Sequence, residues 1–193
     1  FSEDNPVDIY LMLLSSDVDG DDLTYSLVSE GTNGTANIDY VPDTDTDGLL
    51  TYTPNQDWSG TETLTYKVND GTVDSNISTI TLTGIAVNDA PVANDMNIST
   101  NEDIDLSFSF DMSDVDGDDL DVHIMSNPSN GTLTGEVQDV IMKYTPNENW
   151  HGTDSFNYKA YDGTSSGTQL SELATVTITV NPVNDAPVTT DIS

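Results

Sequence analysis

The sequence predicts an all-β protein made of two tandem Greek-key β-sandwich domains in an elongated array. Three observations predict it. Apolar and polar residues alternate over short segments, Asp-Gly, Asn-Gly and Thr-Pro-Asn turn signals separate these segments, and one ordered set of motifs occurs twice within 193 residues. Alternation with a period of two indicates strands with one buried face, and short strands at regular spacing are typical of two packed sheets.

The alternating segments are spread along the whole chain. They are centred on residues 23–27, 64–68, 106–110, 156–160 and 176–180. In each of them every second residue is apolar, so one face of each strand is expected to lie in a core. No segment has the 3.6-residue period of a helix, and we therefore expect strands throughout.

Six sequence blocks recur in the same order. Residues 17–23 return letter for letter at 114–120, and Val-Asn-Asp-Ala-Pro-Val at 87–92 returns 96 residues later at 183–188. The other pairs are 33–35 with 130–132, 52–55 with 144–147, 58–61 with 150–153 and 70–72 with 162–164. The repeat predicts a domain at 1–90 that is truncated at its amino end, a second domain at 91–186, and the start of a following linker or repeat at 187–193.

The charge balance restricts the classes of partner. The chain has 35 Asp and Glu residues against 3 Lys and Arg residues, a formal net charge of −32. Nucleic acids and anionic membrane surfaces require basic residues, so neither is an expected partner. No apolar run is long enough to span a bilayer, which argues against direct membrane insertion. An excess of carboxylates is compatible either with a solvated acidic surface or with bound cations.

Catalysis has no supporting constellation in this sequence, and we expect the chain not to be an enzyme. It has no Cys and two His, too few ligands for a zinc or copper site. His123 and His151 stand where the first repeat has Ser26 and Ser59, so both are interpreted as surface residues.

Aligned on the repeat, the motifs resemble those of cadherin domains, and in particular the cadherin-like tandem repeats of large bacterial surface adhesins. The resemblance covers essentially the whole chain and implies a cadherin/Ig-like sandwich. Cadherins have a Glu near the start, an Asp-x-Asp before a strand, an Asp after a later strand, and a linker rich in Asp, Asn and Pro. The matching residues here are Glu3 and Glu102, Asp17/Asp19 and Asp114/Asp116, Asp70 and Asp162, and the blocks 88–91 and 184–187.

The resemblance implies calcium as the cofactor, bound between domains. Carried over residue by residue, the implied interdomain site consists of Glu3, Asn88, Asp89, Asp114, Asp116 and Asp162. Calcium takes six to eight oxygen ligands, and five carboxylates in one place repel each other without a cation. The implied mechanism is a charged hinge that calcium locks into a rod.

Other acidic positions are weaker candidates. By the same resemblance, two half-sites lack their neighbouring domain, and we expect weak or absent metal there. The half-sites are Asp17, Asp19 and Asp70, and Glu102, Asn184 and Asp185. Asn55 and Asp57 occupy the place of a further cadherin motif, but amides are weaker ligands than carboxylates for calcium.

Two features leave alternatives open. Asp43, Asp45 and Asp47 precede Gly48 in the D-x-D-x-D-G order of a calcium loop, but Pro54 stands where an EF-hand needs Glu. An acidic hairpin tip is favoured over a local calcium loop. Trp58 and Trp150 are interpreted as turn-packing residues, with sugar stacking as the alternative.

The function expected from these observations is structural: a calcium-rigidified extender module of a secreted or cell-surface adhesin. The alternative is a module that binds carbohydrate or protein in a calcium-dependent way. The expected partners are neighbouring repeats of the same chain, and a cell-surface glycan or protein bound through other domains. The expected location is extracellular.

Overall fold

The structure is a computed structural model, and it describes residues 1–39, 48–135, 141–163, 170–187 and 189. The chain divides into two units, Phe1–Val87 (unit 1) and Asn88–Ser193 (unit 2). Each unit has its own buried core. The all-β prediction is confirmed, with one addition: a single turn of 3-10 helix at Leu11–Leu14.

Unit 1 consists of two antiparallel three-stranded sheets, in the orders β1-β4-β3 and β2-β5-β6. Their strands are β1 (Val7–Tyr10), β2 (Thr24–Ser29), β3 (Gly34–Asp39), β4 (Leu49–Pro54), β5 (Gly60–Asn69) and β6 (Ser78–Gly84). Leu50, Tyr52 and Leu64 are fully buried between the sheets. They stand at alternate positions of β4 and β5, as a period of two requires.

Unit 2 repeats this plan with a fuller set of strands. They are β7 (Val92–Ala93), β8 (Met96–Asn101), β9 (Leu106–Ser109), β10 (Met112–Ser113), β11 (Asp121–Ile124), β12 (Gly131–Thr134), β13 (Ile141–Pro146), β14 (Gly152–Tyr161) and β15 (Ala174–Asn181). The sheets have the orders β11-β14-β15-β8, β12-β13-β9 and β10-β7. β8 is parallel to β15, and the other pairs are antiparallel.

One buried carboxylate fastens a loop to the core in each unit. Glu62 on β5 accepts backbone N–H bonds from Thr32 at 2.8 Å and Asn33 at 2.7 Å, and the Tyr52 hydroxyl donates to it at 2.9 Å. In unit 2 the same place is taken by Asp154, which accepts from the backbone of residues 129 and 130 and from the hydroxyl of residue 144. The carboxylates are 7% and 5% exposed, so these hydrogen bonds offset the cost of burying a charge.

Candidate metal centre in unit 2

An acidic loop of unit 2 connects β10 to β11 and wraps around one carboxylate. Asp114 Oδ1 accepts the backbone N–H of Asp116 at 2.9 Å and that of Asp118 at 3.4 Å. Gly117 between them has φ 79°, a conformation that favours glycine. One carboxylate oxygen from each of the three Asp residues lies within 4.8 Å of the other two. Oxygens that share a calcium ion at 2.3–2.6 Å are at most about 5 Å apart, so this spacing suits one ion.

The second oxygen of Asp114 is the strongest indication of a cation. Asp114 Oδ2 is buried, and within the described part of the chain it has no hydrogen-bond partner. Buried carboxylate oxygens are normally paired, because leaving one unpaired costs free energy. A divalent cation at this place would satisfy it.

The pKa of Asp118 indicates that the carboxylates around this loop repel each other. Burial raises the pKa of this carboxyl above its usual value, and the negative charges of Asp114, Asp116, Asp162 and Asp119 raise it further. Asp162 therefore lies within electrostatic range of the loop. A bound cation would remove this repulsion, because it favours the charged form of each carboxyl.

The first two residues of unit 2 are hydrogen-bonded to acidic residues in and near this loop. Asn88 Nδ2 donates to Asp162 Oδ2 at 2.9 Å, and the backbone N–H of Asp89 donates to Asp116 Oδ2 at 2.8 Å. Five of the six residues implied by the resemblance thus lie in one region of unit 2. Their oxygen-only donor set fits a hard cation such as calcium.

The sixth residue, Glu3, belongs to unit 1 and has a local role there. It is 3% exposed, and its Oε1 accepts the backbone N–H of Val87 at 2.5 Å. Glu102 is its counterpart in unit 2, where its carboxylate accepts the N–H of Val183 and lies 3.4 Å from His151 Nδ1. In both units this Glu therefore holds the backbone at the start of a Val-Asn-Asp-Ala-Pro block.

The equivalent loop of unit 1 is arranged differently. Asp17 Oδ1 accepts the N–H groups of Asp19 at 2.8 Å and Gly20 at 2.9 Å. Within the described residues, the oxygens of Asp17, Asp19 and Asp21 do not form a triad of the kind seen in unit 2. Asp70 Oδ1 caps its own turn, accepting the N–H groups of residues 72 and 73 at 2.7 Å.

The remaining candidate ligands have backbone roles or lie outside the described residues. Asn55 closes a turn through its backbone, and Asp57, at φ 57°, donates its N–H to Asp4 at 2.8 Å. Asn184 Nδ2 donates to the carbonyl of Asp185 at 3.1 Å, and both are exposed. The proposed loop at Asp43, Asp45 and Asp47 falls on residues that the structure does not describe.

Two kinds of residue were missed in the sequence analysis. Asp118 completes the triad, and its signal was present: the repeated block reads Asp-x-Asp-x-Asp at 114–118. The buried carboxylates Glu62 and Asp154 had only a weak signal, an acidic residue inside an otherwise alternating strand.

The two tryptophans and the two histidines considered in the sequence analysis lie in different environments. Trp58 and Trp150 are partly buried and pack against the cores of their units, which favours turn packing over sugar stacking. His123 is exposed and its ring centroid lies 5.0 Å from that of Tyr161. The His151 side chain is 57% exposed.

The comparisons with solved structures give similarities of fold. The human mucin-like protocadherin EC1-2 structure matches at 14% identity with a TM-score of 0.49, covering 83% of this chain and 85% of that one. An endo-fucoidan hydrolase of glycoside hydrolase family 107, MfFcnA4, matches at 23% identity with a TM-score of 0.38, covering 86% of this chain. The chain spans 24% of the length of that hydrolase.

Three further findings bear on the kind of domain. A comparison with curated protein sequences gives no match. Among the described residues, no helix has the length and apolar character needed to cross a membrane. The bacterial Ig domain model matches residues 1–83 and 88–181, nearly the whole of both units. The chain therefore consists of two β-sandwich repeats of the Ig type, and it belongs to the bacterial Ig domain family.

Proposed function

We propose that this chain is a calcium-rigidified extender module of a secreted or cell-surface adhesin. In this proposal calcium binds the acidic loop of unit 2 together with the linker residues Asn88 and Asp89, and stiffens the connection between repeats. Neighbouring repeats of the same chain are its partners, and other domains of the protein contact a cell-surface glycan or protein. Glu3 is included among the ligands on the basis of the cadherin resemblance alone.

The observation that carries the proposal is the buried, unpaired Oδ2 of Asp114 beside Asp116 and Asp118. The loop alone could be a solvated acidic turn, because Asp residues are common in turns. A buried carboxylate oxygen without a donor among the described residues favours a bound cation over that reading, because such oxygens are normally paired. The joining of Asn88 to Asp162 and of Asp89 to Asp116 supports a calcium effect on the linker.

Small-angle X-ray scattering and calcium titration calorimetry on the full chain test the proposal. Calcium at millimolar concentration is expected to give a narrower range of molecular dimensions than EDTA, and magnesium at equal ionic strength is expected to do less. Asp114→Asn should weaken calcium binding at least about tenfold, since it removes a charged ligand. The matched variant Asp17→Asn, at the same position of unit 1, should leave both measurements unchanged.

A result in which scattering and binding are the same for the parent and Asp114→Asn contradicts the proposal. The alternative function is calcium-dependent recognition of carbohydrate or protein. No feature of the residues that the structure describes favours it.

A further inference from the structure

The Asn-Gly-Thr block that occurs in both units places an asparagine directly before the first residue of an edge strand. In unit 2 the asparagine is Asn130, and Gly131 is the first residue of β12. β12 is the outer strand of its sheet, which has the order β12-β13-β9. An asparagine that precedes glycine can react with its own backbone, because glycine has no side chain to shield its N–H from the asparagine Cγ.

The N–H of Gly131 takes no part in the ladder between β12 and β13. Gly131 stands opposite Pro146, which has no N–H of its own. The N–H of Asn147 donates to the carbonyl of Asn130 at 2.8 Å, so residues 131 and 146 form a pair that exchanges no hydrogen bonds. The Gly131 N–H therefore points away from β13, to a side on which the described part of unit 2 places no strand.

The side-chain amide of Asn130 is not held either. Its backbone is fixed, because its N–H donates to Asp154 Oδ2 at 2.8 Å. The Asp154 carboxylate also accepts the N–H groups of residues 129 and 155 and the Tyr144 hydroxyl. Within the ranges that the structure describes, the Asn130 amide has no hydrogen-bond partner. Asn130 is half-buried, so water reaches it.

Unit 1 has the same block in the same backbone arrangement, but its amide is held. Gly34 begins β3 opposite Pro54, and its N–H lies outside the ladder for the same reason as in unit 2. Asn33 Nδ2 donates to Glu62 Oε1 at 3.3 Å. Glu62 is one methylene longer than Asp154, and its carboxylate binds both the backbone and the side chain of Asn33.

This hydrogen bond separates the two blocks chemically. For ring closure the asparagine side chain must turn until its Cγ meets the nitrogen of the following glycine. Asn33 gives up a hydrogen bond to a carboxylate when it turns, whereas Asn130 gives up none. A hydrogen bond of ordinary strength corresponds to about a two- to tenfold difference in rate.

We propose that Asn130 is a site of self-modification, at which the side chain cyclises onto Gly131 and becomes aspartate or isoaspartate. The Gly131 nitrogen loses its proton to hydroxide and bonds to Asn130 Cγ, and the amide nitrogen leaves as ammonia. Water then opens the five-membered imide. Cleavage of the new bond to Cγ gives aspartate, and cleavage of the original backbone bond gives isoaspartate. The only reactant besides the chain is water, and no calcium is involved.

Both products disturb the loop that Asp154 fastens. Each adds a negative charge next to this carboxylate, which is 5% exposed, and like charges at a buried place repel strongly. Isoaspartate also adds one methylene to the main chain ahead of Gly131. That place is tightly packed, since even a Cβ on Gly131 would lie 2.4 Å from Tyr144. We therefore expect unit 2 to lose stability as the protein ages.

Peptide mapping by mass spectrometry, on the full chain incubated in EDTA at mildly alkaline pH, tests the proposal. Deamidation at Asn130 should be about fivefold faster than at Asn33, and enzymatic methylation of isoaspartate should label the Asn130 peptide. Asn33 is the matched control within the same molecule, since both residues precede Gly-Thr. In urea the two rates should become equal. Equal rates in the folded chain, or a faster reaction at Asn33, overturn the proposal.

Exchanging the two carboxylates tests the cause. Glu62→Asp should accelerate deamidation at Asn33, and Asp154→Glu should slow it at Asn130. Rates that do not change in these variants mean that the hydrogen bond does not control the reaction. Asn130→Gln leaves both carboxylates in place and blocks the cyclisation. The melting temperature reported by Trp150 fluorescence should fall during incubation of the parent and stay constant in this variant, and equal falls contradict the proposal.

Discussion

At the scale of single residues, the stability of unit 1 depends on a carboxylate buried beside a tyrosine. Glu62 receives five hydrogen bonds, from the backbone N–H groups and the side chains of Thr32 and Asn33 and from the Tyr52 hydroxyl. Glu62→Gln replaces an acceptor that has full charge with an amide that presents its own donors to these groups. We expect a loss of about 1–3 kcal/mol in the free energy of unfolding of unit 1 by chemical denaturation. The exposed change Glu30→Gln should cost less than about 0.5 kcal/mol, and equal losses would contradict this role.

The same carboxylate predicts a pH dependence. Burial by itself would raise the pKa of Glu62, but the hydrogen bonds from Thr32, Asn33 and Tyr52 outweigh it and hold this pKa below its usual value. The stabilisation is therefore complete above the unfolded value of about 4.3, and is lost as pH falls through the folded value. The difference in unfolding free energy between parent and Glu62→Gln should narrow as pH falls below about 4.3. A difference that stays constant down to pH 2 would exclude this explanation.

Replacing the Asp118 carboxylate is expected to stabilise unit 2 without calcium and to weaken calcium binding. Its pKa is raised by burial and by neighbouring carboxylates, so its charge is unfavourable when no cation is bound. Asp118→Asn should therefore raise the melting temperature of unit 2 in EDTA and weaken calcium binding by titration calorimetry. Glu148→Gln, an exposed change in the same unit, should alter neither. If Asp118→Asn lowers the melting temperature in EDTA, repulsion does not dominate this loop.

At the scale of elements, two neighbouring strands approach each other closely at a glycine in each unit. These strands are β3 and β4 in unit 1 and β12 and β13 in unit 2. A Cβ at Gly131 would lie 2.4 Å from Tyr144 Cε2, and one at Gly34 would lie 2.5 Å from the Tyr52 ring. These tyrosines are the partners of Asp154 and Glu62, so the glycine makes room for the ring that fastens the loop. The repeated Asn-Gly-Thr block therefore has a packing reason as well as a turn propensity.

Gly131→Ala should destabilise unit 2 by about 1–3 kcal/mol, because the Tyr144 ring must shift within a packed core. The exposed neighbour Thr132 on the same strand offers a matched control, and Thr132→Ala should cost less than about 1 kcal/mol. Chemical denaturation followed by Trp150 fluorescence measures both. Equal costs would mean that the ring is free to move.

At the scale of the whole molecule, the two units are expected to differ in stability. Among the described residues, the larger sheet of unit 2 has four strands, including β8, and the corresponding sheet of unit 1 has three. More of the described apolar residues are buried in the core of unit 2 than in that of unit 1, and burial of apolar area is the main favourable term in folding. Each unit contains one tryptophan, Trp58 and Trp150.

Urea denaturation of Trp58→Phe and Trp150→Phe variants in EDTA should therefore give different midpoints. The fluorescence of Trp150 should report the higher midpoint, and that of Trp58 the lower one. Circular dichroism of the parent, which follows both units, should show a broadened or two-step transition between them. A single midpoint shared by both tryptophans would contradict independent stability of the units.

The sequence by itself was sufficient for the fold class and for most of the acidic loop. Alternation at residues such as 64–68 predicts strands because side chains of a strand point to opposite faces, which is a purely local property. The motif repeat predicts two similar folding units, since identical blocks in the same order imply identical turns. The Asp-x-Asp block also identified Asp114 and Asp116 as neighbours, because residues two apart in a turn are close whatever the rest of the chain does.

Only the tertiary structure decided which distant groups these residues meet. Glu3 and Val87 are 84 residues apart, and Glu62 lies 30 residues from Thr32, so no local pattern predicts either hydrogen bond. Local periodicity determines which face of a strand is buried. The hydrogen-bond partner of a buried polar group is determined by packing across the whole fold. A buried carboxylate must find such a partner wherever the chain places it, because leaving it unpaired costs free energy.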